Sequence, residues 1–430
     1  MKRNILILLF IAFSLSTYAQ EKLDVSQAIK LALENNYGIK VAKNTRKQAV
    51  NSATIGNAGL VPSLNATAGA NYTDTKAGKV SSMQTSKSTR TSAGIELSYT
   101  LLNGWGNILN YKKLEILASG SNFQAKYIIE ATVFNVISSF YSVCQKKDIL
   151  DQQGDMLKIS RERLARQEEK NKIGAGTSLQ VLNARVDINK DSVNYLNAKK
   201  NLAESKRNLN TLLCRDIDTE FSIEVGDLSY ANFNLQTILD TAFSKNSDYL
   251  LKMNKVEQSK MDLKIARLSS MPTISLKTGY GYNQIDKDFN IGLDDPNTQF
   301  TAGVNISLNI YDGEKKAIKK RNARLSYENS QYKLEEQKLI IKKDLVNAYA
   351  NYRNTLDVLN LQKQNLKSAE MNFEQSKEYY RLGKISSTEY RQAQLNLLVA
   401  KNNISKAKYN AKIAEMNIHK LSGTILKKEL

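Results

Sequence analysis

The sequence predicts an α+β membrane protein: a long antiparallel helical coiled-coil tunnel, continuous with a β-barrel to which each chain gives four strands, and built on an internal tandem repeat. Three observations predict this. The first is the repeat itself, with a period of about 209 residues. The second is two-residue alternation in four segments. Leu64, Ala66, Ala68, Ala70 and Tyr72 alternate with polar residues, and Ile274, Leu276, Thr278, Tyr280 and Tyr282 do so 210 positions later. Ala93, Ile95, Leu97, Tyr99 and Leu101 recur 209 positions on as Ala302, Val304, Ile306, Leu308 and Ile310. Such alternation over about ten residues suits a strand with lipid on one side and water on the other. The third is a heptad seam between the strand pairs. Four strands cannot close a barrel, since single-chain barrels begin at about eight, and lipid tolerates no open sheet edge. Copies of the chain are therefore expected to share one barrel, which makes a conduit.

The elements follow in order. Residues 1–19 read as a signal peptide: Lys2 and Arg3, an apolar core from Ile5 to Leu15, and a small-x-small site at Thr17-Tyr18-Ala19. The first repeat, 20–214, opens with a helix over 24–58, on the spacing of Ile29, Ala32, Leu33, Asn36 and Ile39, ended by Gly56, Gly59 and Pro62. Strands are expected near 63–73 and 90–102, with 74–89 a polar exposed loop. From Trp105 to Asn171 apolar residues recur every seven: Val136, Val143, Leu150, Leu157 and Leu164. This is coiled-coil periodicity. Gly174-Ala175-Gly176-Thr177 turns the chain into a return helix over 178–213. Residues 215–234 break the period and read as a mid-height connector. The second repeat, 235–430, carries strands near 273–283 and 300–311, a long helix with Leu345, Tyr352, Leu359, Leu366, Phe373 and Tyr380 in register, a turn at Gly383, and a return helix over 387–421. The return helices carry alanine-rich seams: Ala393, Leu397, Ala400, Ile404, Ala407, Ala411, Ala414, Ile418 and Leu421 in the second, and nine equivalent positions in the first, of which only Asp191 and Ser205 are not apolar.

Composition narrows the function. The chain carries net charge +20, or +18 once Lys2 and Arg3 are removed. The lysines are spread over every helix face, so no compact basic stripe points to nucleic acid. Two cysteines, Cys144 and Cys214, and a single histidine, His419, leave no metal site, cofactor ligand set or Ser-His triad. Hairpin arithmetic sets Cys144 and Cys214 about 12 Å out of register, too far for a disulfide. His419 is expected to be an exposed helix residue. Without a phosphate-cradling loop, HExxH or GxSxG, the chain is not expected to be an enzyme.

Candidate functional residues cluster at the turns and at the strand entries. Pro62 and Pro272 are equivalent and mark helix-to-strand junctions. Thr177-x-x-Gln180 and Ser386-x-x-Glu389 fit capping boxes. If copies form a ring, Glu389 repeats around its inner mouth as an acidic constriction.

With these residues in view, the sequence resembles the TolC-like outer membrane efflux protein family over essentially the whole mature chain. The resemblance rests on the tandem repeat, the Pro-strand-loop-strand-helix order, the paired turns KIGAGTSLQVLNAR and RLGKISSTEYRQAQ, and the endings LNTLLC and IHKLSG. It implies a homotrimer with a twelve-stranded barrel in outer-membrane lipid and a periplasmic tunnel. It further implies a passive conduit of an efflux or type I secretion system, fed by a periplasmic adaptor and an inner-membrane pump. On this resemblance Tyr380, Glu389, Gln180, Gln392 and Ile385 belong to a periplasmic constriction. Gly174, Gly176, Thr177, Gly383 and Ser386 form the adaptor-docking turns. Ile385, Gln180 and Gln392 stand where better-known members carry an arginine and acids, which points away from a salt-bridged lock at this end. The alternative reading is a non-conducting exported coiled-coil structural or adhesion protein.

Overall fold

The computed structural model describes residues 21–76, 85–287, 289, 291–292, 294 and 297–429. The expected signal peptide lies outside them. Two compact units are present, and each draws on both halves of the sequence: Met1–Lys43, Ala125–Ser247 and Lys338–Leu430 form the first, and Asn44–Gln124 and Asp248–Gln337 the second.

The elements are β1 (Glu21–Leu23), α1 (Val25–Asn35), α2 (Tyr37–Ser52), β2 (Ser63–Lys76), β3 (Thr85–Asn103), α3 (Gly106–Lys172), α4 (Ser178–Leu213), β4 (Phe221–Ile223), α5 (Leu235–Lys245), α6 (Ser247–Leu268), β5 (Thr273–Asp286), β6 (Asn297–Ser307), α7 (Lys315–Arg381), α8 (Ser387–Leu421) and α9 (Ile425–Glu429). The long helices α3 and α7 are each 67 residues, about 100 Å at 1.5 Å per residue.

In the first unit the heptad seams are inside. Val136, Val143 and Leu157 of α3, and Leu345, Tyr352, Leu359, Phe373 and Tyr380 of α7, are buried. So are Ala184, Ala198 and Leu209 of α4, and Ala393, Ala400, Ala411 and Ile418 of α8. Alanine at the contact lets helix axes approach closely. The main core joins Val133, Ile137, Phe140 and Cys144 of α3 to Ile29, Leu209, Phe221 and Met416. By length and composition, part of α3 is apolar enough to cross a membrane. Much of the apolar character of α3 lies in this Val133–Cys144 contact, which is buried against protein.

Several expectations are corrected. The helix expected over 24–58 breaks at Asn36, which sits at φ −60°, ψ 124°, and the second piece ends at Ser52. Asn36 Oδ1 caps Ile39 N at 3.2 Å, and Asn36 Nδ2 donates to Leu212 O at 2.8 Å. Asn246, 210 residues later, breaks α5 from α6 at φ −62°, ψ 120° and donates to Leu421 O at 2.8 Å. Each asparagine thus ties a helix break to the end of a return helix, where carbonyls otherwise lack partners. The connector holds an unforeseen strand: β4 pairs in parallel with β1, Leu23 opposite Ile223. His419 is half-buried, its ring 5.2 Å from that of Phe233 and its Nδ1 2.9 Å from Thr424 Oγ1.

In the second unit β2, β3, β5 and β6 form one antiparallel sheet in that order. β2, β3 and β5 outrun their expected bounds, and β6 lies a few residues N-terminal to its own. β2 reaches Lys76 and β3 starts at Thr85, so 74–76 and 85–89 are strand rather than loop, with Thr89 buried; residues 77–84 lie outside the described ones. β6 starts at Asn297 and ends at Ser307, leaving Leu308 and Ile310 beyond it. A bulge at Leu101 shifts the register, so that Leu102 rather than Leu101 faces Ile274. Pro272 directly precedes β5. Pro62 directly precedes β2 but stands ten residues past the end of α2, so it starts the strand without ending the helix. The strand-to-helix turns match: Gly104 and Trp105 have φ 62° and 66°, and Gly313 and Glu314 both have φ 66°.

Candidate functional site: the sheet faces and the hairpin turns

The sheet registers decide which side chains share a face. Side chains alternate across a strand, and cross-strand partners lie on the same side. Ala66, Ile95, Tyr280 and Phe300 are successive partners, as are Leu64, Leu97, Thr278 and Ala302. Tyr99, Leu276 and Val304 extend this face. The other face runs through Thr67, Gly94, Gly281 and Gln299, and through Asn65, Glu96, Gly279 and Thr301. Glu96 and Lys277 approach to 3.9 Å there, both largely exposed. One face is thus apolar across all four strands and the opposite one hydrophilic. Gly94 and Gly281 sit directly opposite each other, and a Cβ on Gly94 would meet the Gly281 Cα at 3.2 Å. A side chain there would have to push the facing backbone back by a few tenths of an ångström.

At the other candidate site, the hairpin turns close in matching ways. Gly174 and Gly383 have φ 74° and 71°. Ala175 N donates to Lys170 O at 2.8 Å, and Lys384 N to Tyr379 O at 2.8 Å, so the last carbonyls of α3 and α7 are satisfied. Gly176 packs near Lys170 and Asn171. Both capping boxes form. Thr177 Oγ1 accepts from Gln180 N at 3.4 Å, and Ser386 Oγ from Glu389 N at 3.2 Å. Glu389 Oε2 in turn accepts from Ser386 N at 2.7 Å. That backbone hydrogen bond, helped by the Ser386 hydroxyl, holds the Glu389 carboxyl below the usual glutamate range.

The five constriction candidates separate. Glu389, Gln180 and Gln392 are exposed, and Ile385 is half-buried. Gln392 Nε2 donates to Asn396 Oδ1 at 2.8 Å. Tyr380 is buried. Its ring stacks on Tyr390 at 4.7 Å and 9°, and Tyr390 stacks on Phe373 at 5.9 Å. Gln167 donates to the Tyr380 hydroxyl, and Lys170 lies 5.5 Å over the ring. Burial raises the Tyr390 hydroxyl above its ordinary pKa. Within this chain Tyr380 is therefore part of the packing behind the turn, while Glu389, Gln180 and Gln392 stay exposed.

The structure also holds an ionic cluster that residue matching had pointed away from. Arg391, six residues past Ile385, reaches Asp191 with both terminal nitrogens, at 2.7 and 2.8 Å. Ser160 donates to Asp191 Oδ2 at 2.5 Å and accepts from Arg391 at 3.1 Å. Arg163 pairs with Asp187, which lies 3.8 Å from Arg391. Arg391, Arg163 and Asp191 are buried. Two cations and two anions thus bind α8 to both α3 and α4. The sequence did contain a signal: Asp191 occupies a seam position filled mostly by apolar residues, and a charge there needs a buried partner. Among the described residues there is no group of His, Cys, Asp and Glu that could hold a metal.

These surfaces match a known set of proteins. The family model for outer membrane efflux proteins matches residues 28–215 and 245–424. The chain belongs to this family. It is 21% identical over 315 residues to outer membrane protein TolC of Escherichia coli strain K12, covering 70% of this chain and 63% of that protein. TolC of Vibrio cholerae serotype O1 is 21% identical over 418 residues, covering 95% and 92%. Among solved structures, the Campylobacter jejuni CmeC outer membrane channel superposes with TM-score 0.81 at 18% identity, covering 94% of this chain and 89% of that one. The TolC-like efflux assignment places the protein in the outer membrane, with a periplasmic tunnel. The family is one of transport channels rather than enzymes.

Proposed function

We propose that this protein is the outer-membrane channel of a tripartite efflux or type I secretion system, conducting cargo passively from a periplasmic adaptor and inner-membrane pump to the exterior. The observation that carries this reading is the sheet: one face apolar across four strands, the other hydrophilic, and both edge strands without an outer partner among the described residues. In lipid, such edges close only with other copies. A homotrimer gives twelve strands, within the range of known barrels. The apolar face meets outer-membrane lipid, and the face with Glu96 and Lys277 lines the water path. At the hairpin turns Glu389, Gln180 and Gln392, with Ile385, form the constriction, held from behind by Tyr380. The turns at Gly174, Gly176 and Thr177 and at Gly383 and Ser386 receive the adaptor. Pro62 and Pro272 start the barrel strands.

The test is the mass of the detergent-solubilised mature protein, followed by its conductance in a planar bilayer. Three chains and ion conductance are expected, with altered conductance or cation selectivity in Glu389→Ala. A detergent-independent monomer that leaves bilayers tight would overturn the channel. Unchanged single-channel behaviour in Glu389→Ala would remove that residue from the constriction and leave its capping role.

A further inference from the structure

The strand registers that sort the two sheet faces also place every charge on the hydrophilic one. Along β3 that face carries Ser88, Arg90, Ser92, Gly94, Glu96 and Ser98, because side chains alternate. Around Arg90 the face is uncharged: Asn71 and Ile285 are its partners, Gly69 and Asn283 those of Ser92, and Thr67 and Gly281 those of Gly94. The glycines leave a hollow of about 250 Å³ there. Among the described residues of the four strands, this face holds three charges, on Glu96, Lys277 and Arg90. Glu96 and Lys277 stand 3.9 Å apart and cancel. Arg90 is exposed and makes no ion pair among the described residues.

Among the described residues, nothing on this face offsets that charge. Glu96 is six residues away along β3, roughly 20 Å at about 3.4 Å per residue and more than twice the screening length of about 8 Å at physiological ionic strength. Asp74 and Asp286 belong to the opposite face, where Asp74 is the partner of Lys87 and Asp286 Oδ2 accepts from Gln284 Nε2 at 2.8 Å. A guanidinium is not deprotonated in proteins. The position along the strand matters as well. β3 ends at Asn103 and leads into α3, and Arg90 lies thirteen residues before that end, roughly 44 Å of strand. At a tilt of about 40° the rise is roughly 34 Å, past the top of an apolar band about 25 Å tall. The opposite face agrees: beyond Ala93 and Tyr282 it turns polar, first at Thr91 and Gln284, then at Thr89 and Asp286. Arg90 is level with this change, toward the strand ends away from α3.

Building on the channel reading, we propose that Arg90 sets the charge preference of the outer mouth, and that the solutes it favours there are anionic. Copies sharing one barrel repeat the guanidinium around a single water path, whose low-dielectric walls focus its field on whatever passes. The hydroxyl, amide and glycine lining around it adds no charge of its own, and the Glu96–Lys277 pair adds a dipole without net charge. The favoured class is therefore small anions, chloride and organic carboxylates among them. Glu389 at the hairpin turns carries the opposite sign, so the effects of the two residues are separated by substitution.

Reversal potentials in a planar bilayer under a KCl gradient test this, with chloride and potassium as the probes. For the detergent-solubilised mature protein, the chloride-to-potassium permeability ratio is expected to fall in Arg90→Gln, to fall further in Arg90→Glu, and to keep the wild-type value in Arg90→Lys. The same order is expected in a Glu389→Ala background. The drop should be larger at about 0.1 M salt than at about 1 M, because the screening length shrinks from about 10 Å to about 3 Å. Glu96→Gln/Lys277→Gln removes no net charge and should leave the ratio unchanged. A conducting channel whose ratio is indifferent to Arg90→Glu overturns the proposal and leaves the channel standing. So does a ratio that moves as far in Arg90→Lys as in Arg90→Gln, since the charge is then not what acts. Bilayers left tight by the wild type overturn the channel reading, and this proposal with it.

Discussion

The ionic cluster around Arg391 offers the sharpest test of how the helical part is held. Arg391→Met removes both contacts to Asp191, made at 2.7 and 2.8 Å. Asp191, almost fully buried, then keeps only the Ser160 hydroxyl as a partner. Breaking one side of a buried pair leaves an uncompensated charge and costs about 3–5 kcal/mol, whereas replacing both sides with apolar residues of similar volume is close to neutral. Arg391→Met and Asp191→Leu should therefore each destabilise by about 3–5 kcal/mol, while the double variant recovers most of the loss. The nearby Arg163–Asp187 pair remains in every variant, so the cycle isolates the central contact. The assay is urea unfolding of detergent-solubilised protein, followed by helical circular dichroism for all four members of the cycle. Single variants costing under about 1 kcal/mol, with an additive double, would match solvent-screened surface charges and refute the idea of a buried pin.

Three further predictions use other features. Asn36→Ala removes the cap on Ile39 N and the bond to Leu212 O, and Asn246→Ala removes the bond to Leu421 O, so each should cost about 1–2 kcal/mol in the same urea assay; because the sites share no partner, the losses should add. Burial raises the Glu130 carboxyl above its ordinary range, against the opposing effects of the Ser247 hydrogen bond and of Lys126. The unfolded carboxyl thus ionises first, and stability falls as pH rises from the unfolded pKa to the folded one. Glu130→Gln should flatten the decline in Tm as pH rises above the unfolded glutamate value of about 4.3, and identical profiles would contradict this. Cys144 is buried, with its thiol pushed up by burial and by Asp148, while Cys214 is half-buried and both thiols are free. A thiol reagent should modify Cys214 in the native protein and both cysteines once it is unfolded, whereas no free thiol after unfolding would mean a disulfide.

What was legible in the sequence was whatever follows a period. Heptads placed α3 and α7, and the capping boxes at Thr177 and Ser386 started α4 and α8 where expected. Two-residue alternation placed the strands and their apolar face. The breaks from periodicity were harder to read. Asn36 looks like one more position on a helical face, and only its extended backbone, φ −60° and ψ 124°, shows it to be a break. The bulge at Leu101 moves the apolar row by one residue without changing the composition of the strand. Strand lengths were underestimated because residues 85–89 are polar, and polar residues are as compatible with a strand as with a loop when one face is wet. The Arg391 cluster was missed for another reason. Its mark in the sequence is Asp191, an acid within an apolar seam, which is not among the positions that the family resemblance assigns to the constriction.

The joint within a chain and the joint between copies of the proposed homotrimer also differ in chemistry. The joint inside a chain is pinned by Arg391, Asp191, Asp187 and Arg163, which are directional and costly to separate once buried. At the repeat-equivalent positions the chain carries an exposed Leu182 in place of Arg391 and Ala400 in place of Asp191, so a joint between copies of the proposed homotrimer that used them would be apolar. Apolar contact has no preferred direction and tolerates sliding far better than a bidentate ion pair does. A tunnel assembled this way would keep each chain's hairpins together and yield between chains. Its mouth would then widen by movement of whole chains, and substitutions at Leu182 would change opening more than substitutions at Arg391. Single-channel records of Leu182→Ser and Arg391→Met decide the point. A larger shift in open probability for Leu182→Ser supports yielding between chains, and a larger shift for Arg391→Met places the moving joint within the chain.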